Sequence, residues 1–374
     1  MRVLHVAHAV EGWEAGGVGR YVRELVVAQR ALGVDASAVC AEELGRKQRG
    51  FRGSWDQPGR ATALAERVRA GAGDGPGDGG VVVHIQHFSG LGFGAIDAAK
   101  GAGARVVVTS HDHWIGCARG QRVTSHGARC DGPEVAKCAR CLRPDGLPGP
   151  LGRGRVRARA EAVSSLVPDL WLTVAPHLAP YADLVDLPVL SPPQTSTAAR
   201  SSGPVRFLYV GSLIPPKGPD VAVDAFSRLP TGAGTLDLVG PAVPYDGSHR
   251  YVDHLRGRHV PGATLHAAQD SAPFYDQSDV LLFPSRWDEG CPLVLREAAS
   301  RGLTILASDV PGARHALAGY PTTWLPVAAD GSGLSAWTAA LSACVRGVPR
   351  HPPARFPTLT EHAADLIRRY EGLF

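Results

Sequence analysis

The stretch that most constrains the fold of this chain lies between residues 278 and 317. It begins with DVLLFPS, a short apolar run that ends in proline and serine. The loop WDEGCP separates this run from a helical pattern, PLVLREAASRG, and a second apolar run, TILAS, comes next. Short apolar runs that alternate with helices are typical of buried parallel strands. Ligands bind such units where the loops leave the carboxyl ends of the strands, so we expect this loop to face a ligand.

Two carboxylates lie around the start of that helix. Glu289 is in the loop, and Glu297 follows about two turns into the predicted helix. A carboxylate accepts two hydroxyl hydrogen bonds at once, which suits a ribose diol or a sugar, and amides at the helix start can bind anionic oxygen. The alternative is that one residue caps the helix and the other is solvated on its outer face. The spacing alone does not decide between these two interpretations.

The chain opens with the same order of strand, loop and helix. RVLHVAHA predicts a strand, EGWEAGGVG a glycine-rich loop, and YVRELVVAQRALG a helix. Gly16 and Gly17 would let the backbone approach an anion near the helix start, although a tight turn without a ligand is the alternative.

Two further predicted strands, VVVHIQ and RVVVTS, lead to His111. A histidine at the carboxyl end of a strand can donate to a sugar hydroxyl or a carbonyl oxygen. The alternatives are a loop histidine without such a role and a partner of Asp112. WLTVAP is expected to be the last strand of the first domain.

Four of the seven cysteines fall within 25 residues, and they are Cys117, Cys130, Cys138 and Cys141. They end in a Cys-x-x-Cys pair with two more thiols within reach, which predicts a structural zinc site with four thiolate ligands. Disulfides are the main alternative, disfavoured because no secretion signal is recognisable. Free buried thiols are the other. Four thiolates would leave no open position for a substrate, so the expected role of the zinc is structural.

Arginines at alternate positions mark the segment after the cysteines, and they are Arg153, Arg155, Arg157 and Arg159. In a helix these positions spread around the surface, so we expect solvated positive charge. Contact with an anionic acceptor or with lipid headgroups is the less favoured alternative.

Length and composition indicate a globular protein of two domains. The chain has 374 residues, of which 44% are apolar and 20% charged. A formal net charge of +4 is small and does not favour nucleic acid or a membrane as a partner. No apolar run approaches the roughly 20 residues of a spanning helix, and the N-terminus has no signal-peptide pattern. We therefore expect a cytoplasmic protein without a transmembrane segment, and peripheral membrane contact is not favoured.

The run from 278 to 317, with PS, EG, a glutamate in the helix and SDVPG after the next strand, resembles the donor-binding signature of family 4 glycosyltransferases. GGVGRYVRELVVAQRALGVD resembles the first loop and helix of the same family, which often carries His-Asp after a strand. The resemblance implies an α/β protein of the GT-B fold, with two Rossmann-like domains facing across a cleft. It also implies retaining transfer of a sugar from a nucleotide diphosphate sugar to a hydroxyl of a small-molecule or glycan acceptor. No cofactor or metal is expected to take part in catalysis.

The resemblance further implies a role for individual residues. Glu297 would bind the nucleotide ribose and Glu289 the hydroxyls of the donor sugar. The expected catalytic residues are His111, Lys217 and Glu289. The expected donor-binding residues are Gly16, Gly17, Ser212, Lys217, Glu289, Gly290, Cys291, Pro292, Leu293 and Glu297.

This chain departs from the family pattern at two positions. Ser212 stands where the family usually has an arginine, so one cation for the donor phosphates is missing. His315 stands where the family often has another glutamate. Two alternatives therefore stay open, which are a sugar-nucleotide epimerase or hydrolase of the same fold and an inactive nucleotide-binding partner protein.

The predicted organisation begins with a Rossmann-like, acceptor-side domain over residues 1–190, with the cysteine-rich insertion at about 117–141. Residues 191–204 have linker composition. A second Rossmann-like domain over 205–355 would bind the nucleotide sugar, and a last helix within 356–374 is expected to cross back to the first domain.

Overall fold

The computed structural model describes residues 1–8, 16–46, 57–71, 80–124, 129–142, 149–193, 203–243, 249–326 and 333–374. Most of the predicted first glycine-rich loop, at 9–15, lies outside the described residues, as do most of the glycine-rich segment, at 72–79, and most of the predicted linker, at 194–202.

The chain divides into two compact units. Unit 1 comprises Met1–Ser125, Cys130–Asp186 and Leu359–Phe374, and unit 2 comprises His126–Arg129 and Leu187–Thr358. Each unit has its own parallel sheet and its own hydrophobic core.

Unit 1 is built on a six-stranded parallel sheet. Its strands are β1 (Arg2–Ala7), β2 (Asp35–Cys40), β3 (Val81–Ile85), β4 (Arg105–Ser110), β5 (Leu170–Thr173) and β6 (Asp183–Leu184). Their order across the sheet is β2-β1-β3-β4-β5-β6. The helices that follow them are α1 (Gly16–Ala31), α2 (Pro58–Arg69), α3 (Ala95–Gly101), α4 (Val135–Cys141) and α5 (Gly149–Ser164).

The central strands of unit 1 form because they are apolar along their whole length. Every residue of β3 is buried, and so is every residue of β4 except Arg105. Strands of this kind need helices on both faces, which explains the parallel arrangement. The short strand β6 follows β5, so the prediction that WLTVAP forms the last strand of this domain was wrong.

Unit 2 contains a second six-stranded parallel sheet. Its strands are β7 (Val205–Val210), β8 (Gly234–Val239), β9 (Ala263–His266), β10 (Val280–Phe283), β11 (Thr304–Ser308) and β12 (Thr323–Leu325). Their order is β12-β11-β10-β7-β8-β9. The helices are α6 (Pro219–Phe226), α7 (Arg250–Gly257), α8 (Ala272–Gln277), α9 (Leu293–Ala299), α10 (Pro311–Ala316) and α11 (Leu334–Arg346).

The last helix, α12 (Leu359–Glu371), belongs to unit 1 and packs on α1. Its buried face is partly polar. The Tyr21 hydroxyl lies 2.7 Å from Nε2 of His362, and the Tyr370 hydroxyl lies 2.6 Å from Nδ1 of His84. These buried hydrogen bonds tie the end of the chain to the N-terminal sheet. Among the described helices, none is both long and apolar enough to cross a membrane.

Each sheet has one point at which the chain changes its winding direction. In unit 1 the chain winds from β1 outward to β2 and then returns to place β3 on the other side of β1. In unit 2 it winds from β7 outward through β8 to β9 and then returns to place β10 beside β7. The loops that leave neighbouring strands at such a switch point diverge and leave a crevice, which is where α/β sheets bind ligands.

Candidate functional site

The switch point of unit 2 brings together the two strongest predicted site residues. Lys217 ends a short 3-10 turn (Pro215–Lys217) in the loop after β7, and Glu289 lies in the loop after β10. The Lys217 Nζ atom lies 2.5 Å from Oε1 of Glu289. Ser285 donates its hydroxyl to the same oxygen over 3.0 Å. The Glu289 side chain is only 7% exposed, whereas that of Lys217 is 23% exposed, so the cation reaches solvent and the carboxylate does not.

A close contact between the main chains of Gly218 and Pro284 fixes the position of Lys217. Gly218 has a φ of 69°, and a Cβ atom added there would lie 2.2 Å from the carbonyl oxygen of Pro284. Only glycine fits this position, because both its conformation and the space exclude a side chain. The 3-10 turn therefore packs directly on the end of β10. Lys217 Nζ also lies 4.8 Å from the ring centre of Trp287, close enough for a cation–π interaction.

A hydrogen-bonded arginine behind this turn was not predicted from the sequence. The Arg286 guanidinium bonds both carboxylate oxygens of Asp220, at 2.8 and 2.6 Å, and the carbonyl oxygen of Pro215, at 2.7 Å. Tyr251 donates to Asp220 over 2.6 Å. Burial alone would raise the pKa of the Asp220 carboxyl, but the hydrogen bonds and charge of Arg286 hold it below its usual value. The available signal was an arginine directly after the PS that ends β10.

The loop after β10 continues into α9. Gly290, Cys291 and Pro292 are buried, and the helix begins at Leu293, one residue later than the prediction that puts Pro292 in the first turn. Glu297 lies in the middle of this helix and is 1% exposed, which excludes the alternative of a solvated outer-face residue.

The sequence pattern predicts an apolar stripe of Leu293, Val294 and Ala298 on α9, and the observed core face of the helix differs from it in part. Leu295, Ala298 and Ala299 are fully buried, whereas Leu293 and Val294 are only half-buried. The apolar stripe therefore starts later in the helix than its sequence pattern predicts.

A second close contact fixes the same loop. A Cβ atom at Gly312, in the first turn of α10, would lie 2.0 Å from the carbonyl oxygen of Glu289 and 2.4 Å from that of Gly290. The two departures from the family pattern are half-buried positions near these loops. Ser212 follows β7, where its carbonyl oxygen accepts a hydrogen bond of 2.9 Å from Tyr209, and His315 lies in α10.

In unit 1, His111 follows β4 directly. Its Nε2 atom lies 2.7 Å from Oε1 of Gln86, and its ring centre lies 5.3 Å from that of Tyr21. Burial lowers the pKa of His111 to about 3, against the opposing charge of Asp112. The Asp112 carboxylate bonds Nε2 of His87 over 3.0 Å, and it acts on His111 through its charge, which opposes the lowering of the His111 pKa.

The paired glycines occupy a different kind of structure from the one predicted. Gly16 and Gly17 form the first residues of α1, within the helix and not in the loop before it. Both are exposed, and no other atom lies within 4 Å of a Cβ position at either residue. Main-chain amides at the start of a helix can bind an anion, which is the role predicted for these glycines.

All seven cysteines lie in described segments, and all are free thiols. Cys138 and Cys141 are one turn apart on α4, and the main-chain N–H of Cys130 donates to the carbonyl of Arg122 over 2.8 Å. Burial raises the pKa of the Cys138 thiol, and the nearby Cys117, Cys130 and Cys141 raise it further. The four thiols therefore lie close together. Within the described ranges, no group of three or more His, Cys, Asp or Glu residues has the arrangement of a metal site.

One predicted surface arginine is in fact buried. Arg159 is 6% exposed, donates to the carbonyl of Ile115 over 2.9 Å, and stacks 4.8 Å from the ring centre of Trp114. Burial lowers its pKa to about 10. The expectation of solvated charge was wrong for this residue, while Arg153 and Arg157 are exposed as expected. Arg159 fastens α5 to the segment that follows His111.

Comparison with known proteins agrees with this architecture. Residues 204–345 match the family model described as "Glycosyl transferases group 1", a range that includes Lys217, Glu289 and Glu297. A comparison with curated protein sequences gave no match.

Several solved structures share the fold over the whole chain. Sucrose-phosphate synthase from Thermosynechococcus elongatus is 17% identical, with a TM-score of 0.62, over 100% of this chain and 94% of that chain. HepE from Anabaena, in complex with UDP and glucose, is 12% identical, with a TM-score of 0.62, over 99% and 95%. The pneumococcal O-GlcNAc transferase GtfA, in complex with UDP and GlcNAc, is 12% identical, with a TM-score of 0.60, over 100% and 99%.

The chain thus has the α/β GT-B fold that the resemblance implied, with two Rossmann-like units. The group 1 match and the GT-B neighbours together support a glycosyltransferase.

Proposed function

We propose that this protein is a retaining family 4 glycosyltransferase that moves a sugar from a nucleotide diphosphate sugar to an acceptor hydroxyl. The observation that carries the proposal is the Lys217–Glu289 pair, 2.5 Å apart at the switch point of unit 2 and inside the segment that matches group 1 glycosyltransferases. A cation next to a buried carboxylate suits a ligand in which a phosphate is joined to a polyhydroxylated ring.

In this proposal Lys217 binds the leaving diphosphate and Glu289 accepts hydrogen bonds from the donor sugar. Negative charge grows on the diphosphate as the bond to the sugar breaks, so a preorganised cation there lowers the barrier without a metal. Ser212 adds only a neutral hydrogen bond, and the phosphate charge therefore depends on Lys217 and on main-chain amides at Gly290 and at the start of α1. Front-face attack by the acceptor, assisted by the leaving phosphate, would retain the anomeric configuration.

The remaining residues complete the donor site. Glu297 binds the ribose hydroxyls, and His111 in unit 1 bonds a hydroxyl of the transferred sugar. The HepE and GtfA structures contain UDP, which makes a UDP-sugar the first donor to test on this chain. A natural product and a cell-surface glycan are the acceptor classes that fit the resemblance.

Nucleotide binding tests the donor site. Uridine, guanosine, thymidine and adenosine diphosphates are compared by thermal unfolding, and we expect UDP to raise the melting temperature by several degrees. A ligand at about 100 times its dissociation constant adds about 2.7 kcal/mol, at about 2 to 4 °C per kcal/mol for a domain of this size. Glu297→Gln should lose most of the shift because the neutral amide accepts ribose hydrogen bonds poorly.

Glu66→Gln, at an exposed position on α2, serves as the control and should keep the full shift. No shift with any of the four nucleotides would contradict the proposal. Mass spectrometry of donor incubated with and without acceptors then separates the activities. Turnover that needs an acceptor indicates transfer, turnover without one indicates an epimerase or hydrolase, and binding without turnover indicates an inactive partner protein.

A further inference from the structure

A chain of four hydrogen-bonded side chains crosses the sheet of unit 1 and ends at His111. Nε2 of His5 in β1 lies 2.8 Å from Oε1 of Gln29 in α1. Nδ1 of His5 lies 3.0 Å from Nε2 of Gln86, the residue after β3, whose Oε1 lies 2.7 Å from Nε2 of His111. Gln29, His5 and Gln86 are completely buried, and only His111 is partly exposed.

Both imidazoles in this chain are neutral. Burial lowers the pKa of His5 to about 4 and that of His111 to about 3. The titratable neighbours that act on His111 are Asp112, His87, His362 and His8, and only Asp112 favours its charged form. A neutral imidazole carries one N–H and one lone pair, so each of its two nitrogens has a single role.

The buried amides decide which nitrogen has which role. Gln86 donates from Nε2 to Nδ1 of His5, so the proton of His5 is on Nε2 and goes to the carbonyl oxygen of Gln29. The other end of the Gln86 amide is a carbonyl oxygen and can only accept, so His111 donates to it from Nε2. The lone pair of His111 is then on Nδ1, which bonds no other side chain or main-chain group in the part of the chain that the structure describes.

We propose that Gln86 is a positioning residue that holds His111 as the Nε2–H tautomer, so that Nδ1 accepts a hydrogen bond from a hydroxyl of the substrate. The identity of that substrate as a sugar rests on the function proposed above, whereas the tautomer does not. His111 would thereby recognise its ligand as a hydrogen-bond donor and would not itself donate, in contrast to the donor role that its position in the sequence first predicts.

The tautomer of His111 can be measured directly in the wild-type protein. Nitrogen-15 NMR of labelled histidine distinguishes a protonated Nε2 from a protonated Nδ1, and substitution of His111 by glutamine identifies its signal. We expect a neutral Nε2–H imidazole that does not change between about pH 5 and pH 8, because the pKa lies near 3. A proton on Nδ1, or a charged ring in this range, would overturn the proposal. This result does not depend on activity, so it stands apart from any failure of the proposed glycosyl transfer.

Two substitutions test the role of Gln86 in turnover. In Gln86→Met the hydrogen bond is lost, and we expect kcat to fall by about tenfold or more while KM for the donor changes less, since only orientation is lost. In Gln86→Glu the carboxylate still accepts from Nε2 of His111, and its charge raises the pKa of His111. The carboxylate can no longer donate to Nδ1 of His5, so His5 must carry its proton on Nδ1 in this variant. Turnover at about pH 8 should then stay within about threefold of wild type, with a new loss of activity toward acid as Nδ1 becomes protonated.

Thr173→Val provides the matched control, because it removes a buried hydrogen bond to the carbonyl of Ala175 in the same sheet and none of the hydrogen bonds of the chain to His111. Its pH profile should equal that of the wild type. A wild-type pH profile in Gln86→Glu, or a wild-type kcat in Gln86→Met, would show that Gln86 is structural only.

Discussion

Because Lys217 and Glu289 form an ion pair, a substitution of either residue also changes the environment of the other. The carboxylate is nearly buried, and removal of the lysine would take away the cation that lies 2.5 Å from it. Removal of one partner of a buried ion pair is strongly destabilising, so part of any effect of Lys217→Ala would reflect Glu289 and not the substrate. Lys217→Met keeps most of the side-chain volume, and Glu289→Gln in the same chain removes the remaining charge of the pair. The double variant should therefore recover much of the stability that the single lysine variant loses.

For the single variant Lys217→Met, we expect turnover to fall by about a hundredfold, because the cation acts on charge that develops in the transition state. The affinity for UDP should fall by less than about tenfold, since the ribose and base keep their contacts. Steady-state kinetics and calorimetric titration with UDP measure the two effects. Lys100→Met, at a lysine of unit 1 that bonds the carbonyl of Val167, is the control. Turnover near the wild-type level in Lys217→Met would contradict the proposal that this lysine binds the donor phosphates.

The residues that the sequence identified are those that sit in a local motif. Lys217 and Glu289 are far apart in the chain, yet each lies just after a recognisable strand, and the strand ends bring them together. Arg286 and Arg159 were missed or misjudged because their partners are distant, at Asp220 and at Trp114. Spacing along one helix or loop cannot reveal a partner from another element, so buried arginines of this kind require the structure.

At the scale of the elements, a strand is easier to predict from the sequence when it lies in the interior of its sheet. The strands β1, β3, β4, β10 and β11 are interior and nearly continuous in their apolar sequence, and the pattern predicts all of them. The edge strands β2 and β12 were missed. Strand β2, at one edge, reads DASAVC, and β12, at an edge of the other sheet, has only three residues. A strand with one neighbour needs less apolar sequence, so it leaves a weaker signal.

The cysteine-bearing segments carry a prediction that the spacing first suggested. We expect about one zinc ion per chain, bound by Cys117, Cys130, Cys138 and Cys141. The thiols already lie close enough to raise the pKa of Cys138, and a bound cation would reverse that effect by favouring four thiolates.

Elemental analysis of protein purified without a polyhistidine tag measures the metal. Cys138→Ser should lose the zinc and make the segment near Trp114 easier to cleave with protease, because metal binding and local folding are coupled. Cys40→Ser, at a half-buried thiol outside the group, should keep the zinc. Metal-free protein in which all four thiols are alkylated under native conditions would contradict the prediction.

At the scale of the whole molecule, unit 1 contains an unusual number of buried neutral histidines. Burial lowers the pKa of His5 and His8 from 6.5 to about 4 and that of His111 to about 3, and the pKa of His84 also lies well below 6.5. The unfolded chain binds a proton at each of these residues as the pH falls through 6.5. The native chain binds protons at His5 and His8 only below about 4, and at His84 only well below 6.5. Protons therefore favour unfolding between these two values.

We accordingly expect stability to be highest above pH 6.5 and to fall steeply toward pH 4, with close to four protons taken up on unfolding at about pH 5. Each proton taken up on unfolding lowers the free energy of unfolding by about 1.4 kcal/mol for each unit by which the pH falls. Carboxylates with lowered pKa values, such as Asp112, add their own loss only at lower pH, below their ordinary value of 3.8. Calorimetry in buffers of different ionisation enthalpy counts the protons directly. His5→Gln should reduce the uptake by about one proton, while Val27→Ala, at an exposed residue without a titratable group, should leave it unchanged. A melting temperature that stays level from pH 6.5 to 4.5 would contradict this prediction. It would mean that the four imidazole rings are already charged in the native protein despite their burial.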